Sequence, residues 1–395
     1  MGQKHIVLRG SRMTTGDIFL GPGSSTAGLE SAMVDMSVEV AEMDTKDLSD
    51  MKREAGVIAI APSVPIKLIE PVQTLDEPAA SPAATAWGIR AVGADTSPFT
   101  GSGIVACVLD TGIDAAHPAF AGVEIVQNDF TGEGNGDHHG HGTHCAGTIF
   151  GRDTEGTRIG VARGVTKALI GKVLGEQGGS SDGIANAIQW AVVNGANVIS
   201  MSLGIDFPGL VARLIGQGFP PELATSRALE GYRANVQLFE RLASLVRAQS
   251  AFTQPTLIVA AAGNESQRDV NPNFEIAVSP PAVSEGIVSV AALSEETDGL
   301  VVASFSNTGA NLSGPGVSVI SAKAGGGLVA MSGTSMACPH VAGVAVLWAE
   351  KIRAVGPFTT AHLTHRLLAS GTTETLKSGF DPFDIGTGLV RAPQS

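Results

Sequence analysis

The sequence predicts an α/β fold, a doubly wound and mostly parallel sheet with flanking helices, preceded by a small α+β N-terminal domain. Two observations carry this. From residue 87 onward, short continuous apolar runs rich in β-branched residues (104–109, 168–174, 197–203, 256–262 and 287–293) alternate with helical patterns. Strands buried on both faces of a parallel sheet read this way, because helices cover both sides. The chain of 395 residues also holds 50 glycines and only 5% aromatics, which suits close helix–strand contacts and tight loops.

Taken in order, residues 1–70 form the small domain. A strand is expected over 5–9, and 36–43 alternates like a half-buried strand. Asp44 can cap a helix over 45–55, Gly56 ends it, and 57–61 returns as a strand. A further extended piece, 66–70, follows Pro65. Residues 71–86, rich in Pro and Ala, read as an extended linker too weakly apolar to pack, and an exposed extended segment suits a processing site. Residues 87–395 carry helices over 181–194 (capped by Ser181 or Asp182), 221–250, 341–351 and 360–369. The connection 205–255 is long. Its apolar, Gly-punctuated stretch 207–219 precedes an amphipathic helix pattern over 222–250, expected to pack as an ornament on the core, with a lid or oligomer contact as the alternative.

A net charge of −13 argues against nucleic acid or an anionic membrane as partner, since both require a basic patch. Three cysteines cannot all pair, so Cys107, Cys145 and Cys338 are expected as small buried thiols. No apolar run reaches 18 residues, and the first residues carry no secretory h-region. The expected compartment is therefore the cytoplasm, or the exterior for a protein without its signal.

Three segments carry chemistry. Asp110 lies in Val108-Leu109-Asp110-Thr111-Gly112-Ile113-Asp114, His141 in His141-Gly142-Thr143-His144-Cys145-Ala146-Gly147, and Ser335 in Gly333-Thr334-Ser335-Met336-Ala337. A serine hydroxyl is inert at neutral pH unless an imidazole takes its proton, and the imidazole works best when a carboxylate fixes its tautomer. Asp110 ends a buried strand, where open α/β sheets place their sites. The histidines at 138, 139, 141 and 144, with Cys145, also raise a zinc site, but no second Cys or carboxylate recurs at ligand spacing. No metal is assigned.

With Ser202-Leu203-Gly204 and Ala262-Gly263-Asn264, these segments occur in the order found in the subtilisin-like (S8) serine peptidases, which the chain resembles over roughly residues 82–392. The resemblance implies a serine endopeptidase with Asp110 orienting His141, His141 as base and Ser335 as nucleophile, and no cofactor for catalysis. Asp114 is the decoy, His144 a buried neighbour of the base, and His138 and His139 solvated loop residues. Asn264 and the Ser335 N–H would form the oxyanion hole. Ser202, Leu203 and Gly204 would pair with an extended substrate, and Ala262 and Gly263 would wall the pocket for a small or apolar side chain.

The N-terminal domain is similar to the family's propeptide, although the first helix expected there is not evident in 10–34. It implies an intramolecular inhibitor and a self-processing zymogen, cut within 71–86. Ala119 and the altered loop 151–156 imply that the family's usual calcium site is lost, leaving any structural Ca²⁺ elsewhere. Two further readings stand beside this one: a protease or acyl-transferring ligase dedicated to one peptide, and a non-catalytic peptide-binding scaffold.

Overall fold

The structure, a computed structural model, describes residues 2–10, 36–75, 85–250 and 252–395. The expectations for 11–35 and for 76–84 of the linker lie outside the described residues. The apolar runs become the strands Ala106–Asp110, Lys167–Lys172, Val198–Met201, Leu257–Ala261 and Ile287–Glu296. With Glu124–Asp129, Gly299–Val302 and Leu312–Pro315 they make an eight-stranded sheet. Its strand pairs are parallel, except that Gly299–Val302 runs antiparallel to Ile287–Glu296.

Both faces of this sheet are buried. Along the central strand, Ala106 and Val108 join a core with Ile149 and Met336, from the helices His141–Phe150 and Thr334–Val355. Cys107 and Leu109 point the other way and join Ile184 and Leu238, from Ser181–Val193 and Pro221–Gln249. The two-residue period of a strand thus explains why the run is apolar throughout. From Ala106–Asp110 the chain moves first to the Glu124–Asp129 edge, then crosses to Val198–Met201 on the other side. That reversal puts the ends of these two adjacent central strands at the topological switch point, where such sheets bind ligands.

The N-terminal domain is a three-stranded antiparallel sheet with Gln3–Gly10 between Met36–Met43 and Val57–Pro62. Asp44 accepts from the Lys46 and Asp47 N–H groups in a capping box, as its position suggested. The helix Thr45–Met51 is shorter than expected, since residues 52–56 turn back to the sheet. The apolar face of this sheet (Ile6, Leu8, Met36, Ala61) merges with the core around Ile184, Leu238 and Phe239. Fully burying one such side chain contributes about 1.5–3 kcal/mol, so the two domains share a substantial interface.

Polar anchors fix that interface, among them the two bonds between Val64 and Ser181. Gln189 Nε2 donates to the Met36 carbonyl at 2.9 Å, and Gln189 Oε1 accepts from the Val38 N–H at 3.1 Å. Asn235 Nδ2 donates to the Pro62 carbonyl at 2.9 Å. Asp182 pairs with Lys4 Nζ at 2.6 Å and accepts from Ser63 Oγ at 2.5 Å. The last contact corrects the expected cap: Asp182 is committed to the N-terminal domain, and Ser180 accepts from the Gly183 N–H instead. The 205–255 connection packs on the core, as expected, through Leu238, Phe239 and Leu242, and it does more. Its long helix seats the N-terminal domain through Asn235, and its apolar stretch is itself a helix, Phe207–Gly216, started by Asp206 and Pro208.

The expected strand 197–203 divides at Ser202. Leu203–Ile205 leaves the large sheet and pairs antiparallel with Pro65–Leu68, whose other edge meets Gly179–Ser180. Downstream, Gln73–Leu75 pairs antiparallel with Leu328–Ser332. Residues 65–75 therefore leave the N-terminal sheet and run along the mouth of the switch point, with Pro65–Leu68 between two strands and Gln73–Leu75 paired along one edge.

Candidate active site

Asp110 and His141 meet first. Asp110 closes its strand, and the turn after it requires Gly112, at φ +111°, where an added Cβ would meet the Gly136 carbonyl oxygen at 2.1 Å. His141 opens its helix, and its Nδ1 lies 2.7 Å from Asp110 Oδ1, both side chains buried. Burial alone would depress the imidazole; the Asp110 charge and hydrogen bond outweigh it and hold His141 well above its ordinary value. Cys145 Sγ lies 3.8 Å from the same nitrogen, but burial raises its pKa and keeps it a neutral thiol, so the Asp110 charge carries the rise. Asp110, His141 and Cys145 bring one ligand atom each within 4.8 Å, yet Nδ1 is already bonded to the carboxylate.

Asp137, unremarked in the sequence reading, ties this corner together. One carboxylate oxygen accepts from the Thr111 hydroxyl at 2.9 Å and the Gly140 N–H at 2.8 Å. The other accepts from the Thr143 N–H at 2.8 Å and its hydroxyl at 2.6 Å. Its burial would raise the pKa, but these donors outweigh it and hold the carboxyl below its ordinary value. An Asp four residues before a helical His was the available signal, since acidic side chains satisfy the free N–H groups of a first turn. Asp114 instead accepts from the Gly325 N–H at 2.9 Å and latches two loops together. His144 is buried, its Nε2 2.9 Å from the Val319 carbonyl, and burial pulls its pKa to about 3. His138 and His139 are exposed.

Ser335 stands in the first turn of Thr334–Val355, where backbone N–H groups lack helical acceptors and the helix dipole is positive. Beside it, Asn264 is oriented by Thr334, whose N–H and hydroxyl both donate to Asn264 Oδ1 at 2.8 Å. That leaves the Asn264 Nδ2 to face outward. Gly263 sits at φ +115°, and an added Cβ there would meet Asn307 and Glu265. Ala262 is buried and bonds through its N–H to Val290.

The strand 65–75 fills the remaining space. Leu68 stands opposite Leu203 and Lys67 opposite Gly204, and the Ile69 N–H donates to the Ser202 carbonyl at 3.3 Å. Ser335 Oγ donates to the Ile69 carbonyl at 2.7 Å, and Asn264 Nδ2 donates to the Glu70 carbonyl at 2.8 Å. Farther along, the Val72 N–H donates to the Ser332 carbonyl at 2.8 Å. His141 Nε2 is buried and has no hydrogen-bond partner among the described residues. The site thus brings together Asp110, His141, Ser335, Asn264, Ser202, Leu203 and Gly204 around a segment of the chain's own backbone.

The family model for the subtilase family, Peptidase_S8, matches residues 101–382. The chain belongs to the subtilase family. It is 32% identical over 361 residues to the thermostable alkaline protease of Halalkalibacterium halodurans, covering 89% of this chain and 81% of that one. It is 31% identical over 313 residues to subtilisin DY of Bacillus licheniformis, covering 77% and 96%. With the subtilisin-like protease CPC735_035780 of Coccidioides posadasii it shares 37% identity over 254 residues, 62% of this chain and 52% of that one. Among solved structures, fervidolysin from Fervidobacterium pennivorans, titled a keratinolytic enzyme related to subtilisin, matches with a TM-score of 0.64 at 20% identity, over 99% of this chain and 60% of that one. The fold is subtilisin-like and the chain is a serine endopeptidase of this family.

Proposed function

We propose that this subtilase hydrolyses peptide bonds through Asp110, His141 and Ser335 by way of an acyl-enzyme, and that it is made as a self-processing zymogen. Asp110 holds the His141 tautomer. His141 Nε2 takes the Ser335 proton as Oγ attacks a carbonyl carbon, and returns it to the leaving amine; water then repeats the cycle on the ester. Asn264 Nδ2 and the Ser335 N–H stabilise the oxyanion, a charge that exists only after attack, so they lower the barrier rather than tighten ground-state binding. Substrate adds to Leu203–Ile205 as an extended strand.

The observation that carries this reading is the contact of Ser335 Oγ with the Ile69 carbonyl, on a residue whose N–H is held by Ser202. The N-terminal domain then acts as an intramolecular inhibitor, its seat on 181–193 and 221–249 delivering 65–75 into the cleft. The maturation cut was expected within 71–86. We place it at Ile69–Glu70 instead, because that carbonyl lies against the nucleophile, and pairing of 73–75 with Leu328–Ser332 carries the following residues past it.

The test is a fluorophosphonate label on purified wild-type protein, together with N-terminal sequencing. The expected result is a label on Ser335 and a new N-terminus at Glu70. An unlabelled Ser335 in a folded chain would return the protein to the class of peptide-binding scaffolds.

A further inference from the structure

The segment in the cleft carries two charged side chains: Glu70, which is mostly exposed with its carboxylate 3.6 Å from His139 Nε2, and Lys67, which meets two acids. Lys67 Nζ lies 3.5 Å from Asp206 Oδ1 and 3.4 Å from Glu265 Oε1. Its neighbours Ile66 and Leu68 are buried in the core beneath. Strand alternation therefore fixes Lys67 on the opposite, half-exposed face. The register is set by backbone pairing of Lys67 with Gly204 and of Ile66 with both Ile205 and Gly179. A different peptide added in this register would present its own side chain to the same two acids.

The acids do not depend on Lys67 for their placement. Asp206 caps the helix Phe207–Gly216, accepting from the Gly209 N–H at 3.3 Å. Glu265 accepts from Asn307 Nδ2 at 2.8 Å, and Asn307 Oδ1 in turn holds the Glu265 and Ser266 N–H groups. The two carboxylates come from separate elements, one of them the 205–255 insertion, and converge on one point of the cleft rim. The groove beside Asp206 also carries Glu70, Glu133 and Glu176 against Lys172 and Arg213, and Lys172 is paired with Glu133 at 3.2 Å, so acids outnumber cations around Lys67.

We propose that Asp206 and Glu265 form a recognition site for a basic side chain at the third substrate residue before the cut bond, so that preferred substrates read apolar–basic–apolar–apolar up to the cleavage point. This rests on the endopeptidase reading above and adds to it a substrate class. The apolar positions correspond to Ile66, Leu68 and Ile69, each buried in the cleft.

The test uses the full chain as purified: one portion is titrated with a fluorophosphonate to count competent Ser335, and an unlabelled portion is assayed with fluorogenic amides of Ile-X-Leu-Ile with X as Lys, Ala or Glu. Each acid forms a half-exposed pair, so Lys should exceed Ala by about 3–10-fold in kcat/KM at low salt and Glu by more, with the advantage shrinking at high salt. In Asp206→Asn/Glu265→Gln, which keeps the cap and the Asn307 contact, the Lys-to-Ala ratio should fall close to one. Equal rates for Lys and Ala in a preparation whose Ser335 is label-competent, or a ratio unchanged in the double variant, would overturn the site while leaving the endopeptidase standing. Absence of both label and cleavage would overturn the endopeptidase reading, and the site with it. Should the double variant misfold, the Lys, Ala and Glu series on the wild type decides alone.

Discussion

Ser335 and Asn264 hold adjacent carbonyls of one strand rather than a single carbonyl: the hydroxyl donates to Ile69 and the amide to Glu70. Attack needs the reverse arrangement, with the hydroxyl donating to His141 and both oxyanion donors on the carbonyl under attack. The proton that His141 would take is instead spent on a ground-state hydrogen bond, and His141 Nε2 is left without a partner. The segment thus fills the site as an extended chain but is not poised for attack.

Asn264→Ala should then separate binding from chemistry. Loss of one oxyanion donor costs about 10²–10³ in kcat, a magnitude that comes from subtilisin rather than from this chain. Self-processing should slow on that scale, and Ser335→Ala should leave a single full-length species by intact mass. Processing of Ser335→Ala at the wild-type rate would show that another protease makes the cut.

The two buried histidines of the catalytic helix should part company. His141→Ala should abolish turnover with a folded protein. His144→Ala removes a buried bond to Val319, at about 1–3 kcal/mol of stability, and should lower Tm while leaving residual activity per folded molecule. Thermal unfolding and fluorophosphonate titration on both variants check this, and the opposite ranking would reassign the base.

Much of this site was legible because its parts are local. Asp110 at a strand end, His141 at a helix start and Ser335 in a first turn each sit in a frame of small residues, and the resemblance to the subtilisin-like peptidases picks them out from Asp114 and His144. The parts that were not legible depend on contacts between distant segments. Residues 66–70 look like any extended piece after a proline, and only the Leu203–Ile205 edge makes them an occupant of the cleft. Asp182 looks like a cap until Lys4 and Ser63, more than a hundred residues away, claim it. Asn307 lies outside the quoted segments, yet it holds Glu265, and nothing in the frame around Ser335 says that Thr334 aims Asn264.

Asp137 is predicted to be a positioning residue. Asp137→Ala leaves the Thr111, Gly140 and Thr143 donors without an acceptor, at about 1–3 kcal/mol, and frees the Asp110 turn from the His141 helix. kcat should fall with KM little changed, and Asn, which keeps an acceptor, should rescue part of both stability and rate. Since the folded carboxyl titrates below its ordinary value, its ionisation stabilises the protein above the unfolded pKa of 3.8 and stops doing so as pH falls through the lower folded value. The Tm gap between wild type and Asp137→Ala should therefore be constant at neutral pH and narrow only in strong acid. A gap that narrows near neutrality would assign the stabilisation to another group.

The direction of the His141 shift fixes the pH profile of self-processing. A base must be neutral to accept a proton, and His141 is held above 6.5, so the charged form dominates until the pH passes that raised value. The first-order rate of the wild-type cut should climb with pH across a limb lying above 6.5. The stability linkage has the opposite sense: pairing of the imidazolium with Asp110 stabilises fully below 6.5 and is lost as pH rises through the folded value. Rates that reach their plateau at or below 6.5 would mean that Asp110 does not govern the base.

Calcium should prove dispensable around residues 150–165. Ala119, where a ligand oxygen was expected to be missing, is buried and offers its carbonyl to the Arg152 N–H at 2.7 Å. The Arg152 guanidinium reaches the carbonyls of Phe150 at 3.2 Å and Val165 at 2.8 Å, and also that of Arg163. A planar cation with several donors thus gathers main-chain oxygens from both ends of the loop, work that a hard metal ion does elsewhere. Chelator should leave wild-type Tm and self-processing unchanged, whereas Arg152→Ala should lower Tm, at about 1–3 kcal/mol for carbonyls stripped of donors and nearer the low end where water can enter. If added Ca²⁺ restores the Arg152→Ala variant, the loop keeps a metal-binding geometry that the arginine occupies. A chelator-induced loss of hydrogen-exchange protection confined to residues 150–165 of the wild type would place an ion in this loop and refute the exchange.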